Sequence, residues 1–216
     1  MVRTYSFNPD SYSMHTQIVN FIGKHGKVLD VGCAIGHISD ILTSNGCEVV
    51  GIELDKDSAR KAENYCREVI IGDVELMELS DEYENYFDFI IFADVLEHLK
   101  EPLNVLQRFK KYLKNDGYIL VSLPNISNWR LRIKFLFGNF EYEDDGGLLD
   151  KTHITFFNEN SANKLFKDAG LEIYKFDLTV GDIPKYGRFF HFIGNLWPNL
   201  FAYQFLIIAK KHKKSL

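Results

Sequence analysis

The sequence is poor in cysteine and has no surplus of basic residues. Its 216 residues include three cysteines, Cys33, Cys47 and Cys66, and no two of them form a CxxC pair. So few thiols, odd in number, argue against a disulfide framework and predict reduced cysteines in a cytoplasmic protein. The 25 lysines and arginines are outnumbered by 30 acidic residues, which gives a net charge of −5. A nucleic acid partner is not expected, because duplex binding requires a basic footprint.

Long uninterrupted apolar segments are also lacking. The most apolar stretch, residues 189–209, contains His191, Gly194, Pro198 and Gln204. A transmembrane helix needs about 20 residues with few such interruptions, so no transmembrane segment is expected. The opening residues, MVRTYSFNPDSYS, lack the apolar region of a signal peptide. With 46% hydrophobic and 25% charged residues, the composition predicts one globular domain over residues 1–216.

Strand and helix patterns alternate through the first 124 residues. The predicted strands are 28–31, 48–53, 69–73, 87–93 and 118–123, and the predicted helices are 13–25, 36–44, 57–67 and 103–113. Apolar strands that alternate with helices predict a parallel sheet covered on both faces. After Pro124 the alternation stops. The remaining chain is predicted to contain loop-rich residues 125–158, a helix at 161–169 and strands at 171–180 and 201–210.

A glycine turn follows the first predicted strand and precedes a helix. It reads Asp30-Val31-Gly32-Cys33-Ala34-Ile35-Gly36, and its small residues allow a ligand to approach the backbone and the helix N-terminus. A dinucleotide-binding GxGxxG turn would have glycine where this chain has Ala34 and His37. A pyrophosphate would also be repelled by Asp30, whereas a sulfonium or ammonium group would be attracted to it. The turn favours S-adenosylmethionine, with a nicotinamide-dependent oxidoreductase as the alternative.

Carboxylates follow the next three strands as well. Glu53 lies 21 residues after Gly32, close to the spacing at which an acidic residue binds ribose hydroxyls in nucleotide-binding βαβ units. Asp55 is a weaker candidate for that role. Asp73 follows the third strand, where a carboxylate can accept a hydrogen bond from an adenine amino group, and Asp94 follows the fourth. Because parallel strands end at one edge of a sheet, these side chains are expected to mark a ligand site there.

Taken in order, these segments resemble the motifs of class I S-adenosylmethionine-dependent methyltransferases. The matching segments are VLDVGCAIGHIS, VVGIELD, IIGDVE, FDFIIFADVLEHL and LKNDGYILVSLPN. The resemblance implies a three-layer α/β sandwich with a seven-stranded Rossmann-like sheet of order 3-2-1-4-5-7-6, the last strand antiparallel. Ala34 replaces the usual middle glycine of the turn. The implied cofactor, S-adenosyl-L-methionine, would be bound by Asp30, Gly32, Cys33, Ala34, Gly36, Glu53, Leu54, Asp73, Val74 and Asp94.

A second resemblance lies in the half of the chain after Pro124. GGLLDKTHITFF, with the flanking SLPNISNWRLR and PNLFAYQFLIIAKK, is similar to a bacterial subgroup often associated with surface polysaccharide or glycoconjugate synthesis. It implies a core of about 27–124 and 160–216, and a lid of about 125–160 and 181–200. The expected acceptor is a small molecule or a glycan-linked group methylated on oxygen. The aromatic and basic residues of the lid fit an acceptor pocket or, equally, a second small core with a homodimer contact.

Two histidines are candidates for the base that a hydroxyl acceptor requires. His98 follows Glu97 after the fourth strand, and His153 lies in GGLLDKTHITFF, residues 146–157, here called the lid motif. Either ring has the structural alternative of a hydrogen bond to a backbone carbonyl. Asp94, Glu97 and His98 also resemble the acid-x-x-Glu-His metal site of ubiquinone-pathway and small-RNA methyltransferases. A site without metal is expected, and metal-assisted transfer and a non-catalytic cofactor-binding protein are the alternatives.

Overall fold

The computed structural model describes residues 13–144, 146–181 and 187–212, with the backbone alone at 187, 188 and 190. Residues 1–12, which form most of the opening segment considered for a signal peptide, lie outside these ranges, as do residues 145 and 182–186 of the expected lid. The described strands are β1 (Lys27–Val31), β2 (Glu48–Glu53), β3 (Glu68–Ile71), β4 (Phe87–Ala93), β5 (Leu113–Pro124), β6 (Leu171–Thr179) and β7 (Gln204–Lys211).

These seven strands form one mixed sheet. Its order is β3-β2-β1-β4-β5-β7-β6. The strands β1 to β5 pair in parallel, and β7 is antiparallel to both β5 and β6. The register of the β5–β7 pair runs from Tyr118 opposite Lys210 to Pro124 opposite Gln204. The predicted strand order and the antiparallel last strand are both confirmed.

Helices cover both faces of the sheet. They are α1 (Met14–Ile22), α2 (His37–Ser44), α3 (Lys56–Ala62), α4 (Pro102–Phe109), α5 (Trp129–Leu136), α6 (Glu159–Asp168), α7 (Gly187–Leu196) and α8 (Pro198–Phe201). Successive β4 residues enter different cores, because side chains alternate along a strand. Ile90 and Phe92 belong to the core that includes α4 and α6, and Ile91 belongs to the one that includes α1 and α2. None of the described helices is long and apolar enough to span a membrane.

Most predicted boundaries differ from the structure by a few residues, and two of them differ by five. Helix α3 ends at Ala62 rather than Arg67. After it, the amides of Asn64 and Tyr65 donate to carbonyls three residues back, which tightens the chain into a turn. This turn lets β3 begin at Glu68, opposite Val50 of β2. Strand β5 begins at 113 rather than 118 and pairs with the start of β4 before a register shift. Both boundaries therefore follow from strand pairing, which the local sequence pattern does not contain.

The chain between β5 and α6 contains a helix where loops were predicted. Asn128 accepts a hydrogen bond from the Arg130 amide and caps the N-terminus of α5. Leu131 on this helix packs with Leu148 and Leu149 in a small third core. Buried Asn128 also donates to the Ala202 carbonyl at 2.7 Å. The helix is therefore held by tertiary contacts, and the segment after β5 is joined to the one before β7.

Candidate active site

The turn after β1 has a left-handed backbone at three positions: Gly32 (φ 72°), Ala34 (φ 48°) and Gly36 (φ 86°). A Cβ atom on Gly32 would lie 2.7 Å from Cγ2 of Val95, and one on Gly36 would lie 2.9 Å from Cδ2 of Tyr65. Packing and backbone conformation together therefore require glycine at 32 and 36. Alanine at 34 carries the cost of a left-handed conformation, about 1 kcal/mol, which explains why glycine is usual there.

Glu53, at the end of β2, is directed at this turn. Its Oε2 accepts the Ala34 amide at 2.9 Å, and its Oε1 accepts the Asp55 amide at 2.8 Å. The Asp55 carboxylate instead accepts the Ser58 amide and caps α3. A carboxylate has about four lone-pair sites, so Glu53 keeps capacity for ribose hydroxyls. The contacts favour Glu53 over Asp55 as the ribose ligand.

The Asp30 carboxylate lies behind the turn and is 2% exposed. Its Oδ2 accepts a hydrogen bond from Ser39 Oγ at 2.7 Å. Burial raises the pKa of Asp30 to about 6, and the charge of Glu53 adds to this effect, although Ser39 opposes it. A positively charged ligand near the turn would stabilise the ionised form of Asp30.

Three other residues expected to bind the cofactor lie at the ends of β2 and β3. Asp73 accepts the Glu75 amide at 2.8 Å. Val74 is half-buried against the main core, and Leu54 is 67% exposed. With the turn, these positions place the expected cofactor residues at the carboxyl ends of the strands. These residues fit S-adenosylmethionine, since their carboxylates can accept hydrogen bonds from hydroxyl and amino groups and attract a positively charged group.

Asp94, after β4, is fixed by the two strands beyond it. Its Oδ1 accepts Ser122 Oγ at 2.5 Å and Gln204 Nε2 at 2.9 Å. The Asp94 amide in turn donates to Ser122 Oγ at 2.8 Å. Asp94 has a left-handed backbone, with φ of 55°. This conformation is uncommon for a residue with a side chain, and the three hydrogen bonds compensate for it.

A cavity of about 290 Å³ opens beside Asp94. Its walls come from the N-terminal end of α1, the residues after β4, the segment 147–153 and the start of β7. Asp94, Glu97, His98 and His153 all contribute to its lining. The lining does not include Gly32, Glu53 or Asp73. The site therefore has two parts, one at the turn after β1 and one at this cavity.

The lid motif docks directly on the residues after β4. The amides of Ile154 and Thr155 donate to the Glu97 carbonyl at 2.8 and 2.9 Å. His98 Nδ1 lies 3.1 Å from the Thr152 carbonyl oxygen. These contacts bring the rings of His98 and His153 to 4.9 Å between centroids. The two histidines singled out in the sequence therefore share one cavity.

The tautomer of His98 and the direction in which the pKa of His153 is shifted follow from their surroundings. A carbonyl oxygen can only accept, so Nδ1 of His98 carries a hydrogen and Nε2 of the neutral ring is an acceptor. The structural bond considered for His98 is therefore present, and it leaves Nε2 available. Burial lowers the pKa of His153, as does neighbouring His98. A neutral ring at pH 7 is the form that a base requires.

Glu97 is fully buried at the wall of this cavity, at 1% exposure. Its Oε2 makes no hydrogen bond within the described part of the chain. Burial raises the pKa of Glu97, and the charges of Asp94 and Asp150 raise it further. Ligand atoms of Glu97, His98 and His153 lie within 4.8 Å of one another. The sequence pattern grouped Asp94 with Glu97 and His98 as possible metal ligands. In the structure the third member of this group is His153 instead.

Comparison with known proteins identifies the family. A sequence profile described as a methyltransferase domain matches residues 13–175. The chain belongs to this methyltransferase family. S-adenosylmethionine is therefore the cofactor implied for the chain, in agreement with the carboxylates at and beside the turn.

Curated relatives of the methyltransferase match about half of the chain. Ubiquinone biosynthesis O-methyltransferase of Methylococcus capsulatus is 30% identical over 105 residues, covering 47% of this chain and 44% of that protein. The enzyme of the same name from Idiomarina loihiensis is 30% identical over 113 residues, covering 50% and 46%. The chain thus spans somewhat less than half the length of these curated relatives.

Solved structures agree over almost the whole methyltransferase. A SAM-dependent methyltransferase of Thermotoga maritima superposes with a TM-score of 0.67 at 18% identity, covering 94% of this chain and 89% of that one. A SAM-dependent methyltransferase of Methanosarcina mazei gives 0.65 at 19% identity, covering 92% and 98%. At these identities the likeness shows the fold.

Several residues of the cavity were not predicted from the sequence. His15, Asp150, Tyr203 and Gln204 line it together with the expected histidines. Asp150 accepts the amide and the hydroxyl of Thr152 through Oδ1 and shapes the lid motif. Its place three residues before His153 was a usable signal. His15 and Gln204 carried none, because the fold brings them in from opposite ends of the chain.

Proposed function

We propose that this methyltransferase methylates a hydroxyl group of a small-molecule acceptor. S-adenosylmethionine supplies a methyl group on a sulfonium centre, so the acceptor oxygen needs alignment and the loss of a proton. The observation that carries the proposal is the pairing of His98 and His153 in one cavity beside Asp94. An imidazole that stays neutral near pH 7 is suited to take a proton from an alcohol or phenol.

The cofactor side of the proposal rests on the turn. The backbone of residues 32–36 and the start of α2 would hold the methionine end, with Cys33 and Ala34 contributing main-chain groups and Asp30 the negative charge. Glu53 would bind the ribose hydroxyls, and Asp73 the adenine amino group. Val74 and Leu54 would flank the adenine ring, and Asp94 would separate the cofactor from the acceptor cavity.

The acceptor side of the proposal rests on the lid, residues of about 125–160 and 181–200. The two curated relatives named above are O-methyltransferases, which supports an oxygen acceptor. Within that class we favour a glycan-linked or glycoconjugate acceptor, on the resemblance of GGLLDKTHITFF to the polysaccharide-associated subgroup. A cytoplasmic homodimer completes the proposal. Exposed apolar side chains on the lid, such as Leu136 and Phe137, support a contact between copies.

Two measurements test the proposal in turn. Calorimetry should show micromolar binding of S-adenosylhomocysteine and none of NADH. Transfer of labelled methyl should then be assayed with phenols, sugar hydroxyls, amines and carboxylates as acceptors. Turnover confined to hydroxyl acceptors supports O-methylation, and turnover confined to amines contradicts it. Binding of the cofactor product without turnover of any acceptor would favour the non-catalytic alternative.

A second candidate function is metal-assisted O-methylation. The observation in its favour is the group of Glu97, His98 and His153, together with the unpartnered Oε2 of buried Glu97. One carboxylate and two imidazoles form a donor set that suits Zn²⁺, Mn²⁺ or Fe²⁺ better than Mg²⁺. A divalent ion held there would make an acceptor hydroxyl more acidic.

A metal titration separates the two candidates. The protein, treated with a chelator and dialysed, is titrated with Zn²⁺, Mn²⁺ and Mg²⁺ in a calorimeter, and methyl transfer is measured at each step. Glu97→Gln keeps the side-chain volume but removes the anionic ligand. Metal-assisted transfer requires activity that follows metal occupancy and is lost in Glu97→Gln. Full activity of the chelated protein contradicts it.

A further inference from the structure

Two thiols lie against each other beside the turn. Cys33 is buried in the turn itself, and half-buried Cys66 lies between α3 and β3. A Cβ atom on Gly51, in the strand between them, would be 2.7 Å from Cys33 Sγ and 3.3 Å from Cys66 Sγ. The sulfurs thus share the space that Gly51 leaves open, and their separation cannot exceed the sum of these two distances.

The two thiols differ in chemical character. A hydrogen bond between them lowers the pKa of Cys66 and, together with burial, raises the pKa of Cys33. Cys66 is also the more exposed of the two. Since the thiolate is the nucleophile in thiol chemistry, Cys66 is the residue that an oxidant would attack first. Cys33 is then the resolving thiol.

The segment that holds Cys66 also supports the turn. A Cβ atom on Gly36 would lie 2.9 Å from Cδ2 of Tyr65 and 3.1 Å from Cα of Ala62, so residues 62–65 pack directly on the turn. The Cys66 amide donates to the Ala62 carbonyl at 3.0 Å. A disulfide fixes two Cβ atoms at about 3.8 Å, so closing one here would constrain both segments.

We propose that Cys33 and Cys66 form a reversible disulfide that weakens cofactor binding at the turn; this rests on the function proposed above. The oxidant is a peroxide. The Cys66 sulfur attacks a peroxide oxygen, the O–O bond breaks, and sulfenic acid and water form. Cys33 then attacks the Cys66 sulfur, the S–O bond breaks, and a second water leaves with the Cys33 proton. Two thiols lose two electrons, and the peroxide gains them.

The test uses the full chain, reduced or treated with hydrogen peroxide. Intact mass should fall by two hydrogens after oxidation, and peptide mapping should link the Cys33 and Cys66 peptides. Affinity for S-adenosylhomocysteine should fall by about 5- to 150-fold, the usual range of coupling between sites, and return with dithiothreitol. Cys66→Ser should bind as the reduced parent does and not respond to peroxide. Cys47→Ser, which removes the third, buried thiol, should respond as the parent does.

Each result bears on the proposal. The absence of a Cys33–Cys66 link, or a linked protein with unchanged affinity, overturns it. A loss of affinity that persists in peroxide-treated Cys66→Ser overturns it as well, because the thiol pair is then not the cause. Failure of the reduced parent to bind S-adenosylhomocysteine overturns the proposed function, and the mass measurement still reports separately whether the disulfide forms.

Discussion

The carboxylate of Glu53 accepts the backbone amide of Ala34 at 2.9 Å and so ties the end of β2 to the turn after β1. The same carboxylate accepts the Asp55 amide through its other oxygen. Its position is therefore set by two backbone groups before any ligand arrives. Such preorganisation lowers the entropic cost of binding ribose hydroxyls.

Replacing Glu53 by alanine should weaken binding of S-adenosylhomocysteine by about 1–3 kcal/mol, because two hydroxyls lose a charged acceptor. Asp55→Ala is the matched control. It removes the cap of α3 and should lower the free energy of unfolding while leaving affinity unchanged. Calorimetry and chemical denaturation measure the two quantities. Equal affinity of Glu53→Ala and the parent would assign the ribose to another residue.

The gathering of Glu53 and Asp73 at one edge of the sheet could be predicted, because its signals are local. Glu53 and Asp73 directly follow apolar strands, and parallel strands end at a common edge. The cavity could not be predicted, because its contacts join distant segments. Gln204 reaches Asp94 from β7, and Thr152 reaches His98 from the lid. Helix α5 was missed for a related reason: the packing of Leu131 stabilises a segment without a strong local pattern.

Gly32→Ala should damage the turn more than its backbone conformation alone predicts. Gly32 and Gly138 have nearly the same φ, 72° and 73°, but only a Cβ on Gly32 meets another atom, Cγ2 of Val95 at 2.7 Å. Gly138→Ala should cost about 1–2 kcal/mol of unfolding free energy, the left-handed penalty. Gly32→Ala should cost more and also weaken cofactor binding.

The double variant Gly32→Ala/Val95→Ala tests the steric explanation. It should recover part of the stability lost in Gly32→Ala, since the clashing methyl group is removed. Thermal and urea unfolding of the parent, the two single variants Gly32→Ala and Val95→Ala, and the double variant measure this. An additive loss in the double variant would show that contact with Val95 is not the cause.

Asp30→Asn should change the pH dependence of stability. The folded pKa of Asp30 is raised to about 6 from 3.8. The unfolded chain therefore loses its proton first as pH rises, and the stability that Asp30 contributes below pH 3.8 is lost by pH 6. Asparagine stays neutral, so the stability of the variant relative to the parent should rise between pH 4 and pH 7 by up to about 3 kcal/mol. A constant difference across this range would contradict a raised pKa.

The last prediction concerns His98 and His153 as bases. If His153 accepts the proton of an alcohol, His153→Ala should lower kcat by about 10²–10⁴-fold with cofactor affinity and melting temperature unchanged. The pKa of His153 is lowered by burial and by His98, so kcat of the parent should be level above pH 6.5 and fall in more acidic solution, as the ring gains its proton.

For His98 the substitution is His98→Asn, because an amide keeps a donor for the Thr152 carbonyl while removing Nε2. If kcat falls in His98→Ala but not in His98→Asn, His98 orients the lid motif. If kcat falls in both variants, Nε2 has a role. Losses below tenfold in His153→Ala and His98→Ala, measured with the true acceptor at saturating cofactor, would remove histidine as the base and leave alignment of the acceptor as the source of the rate.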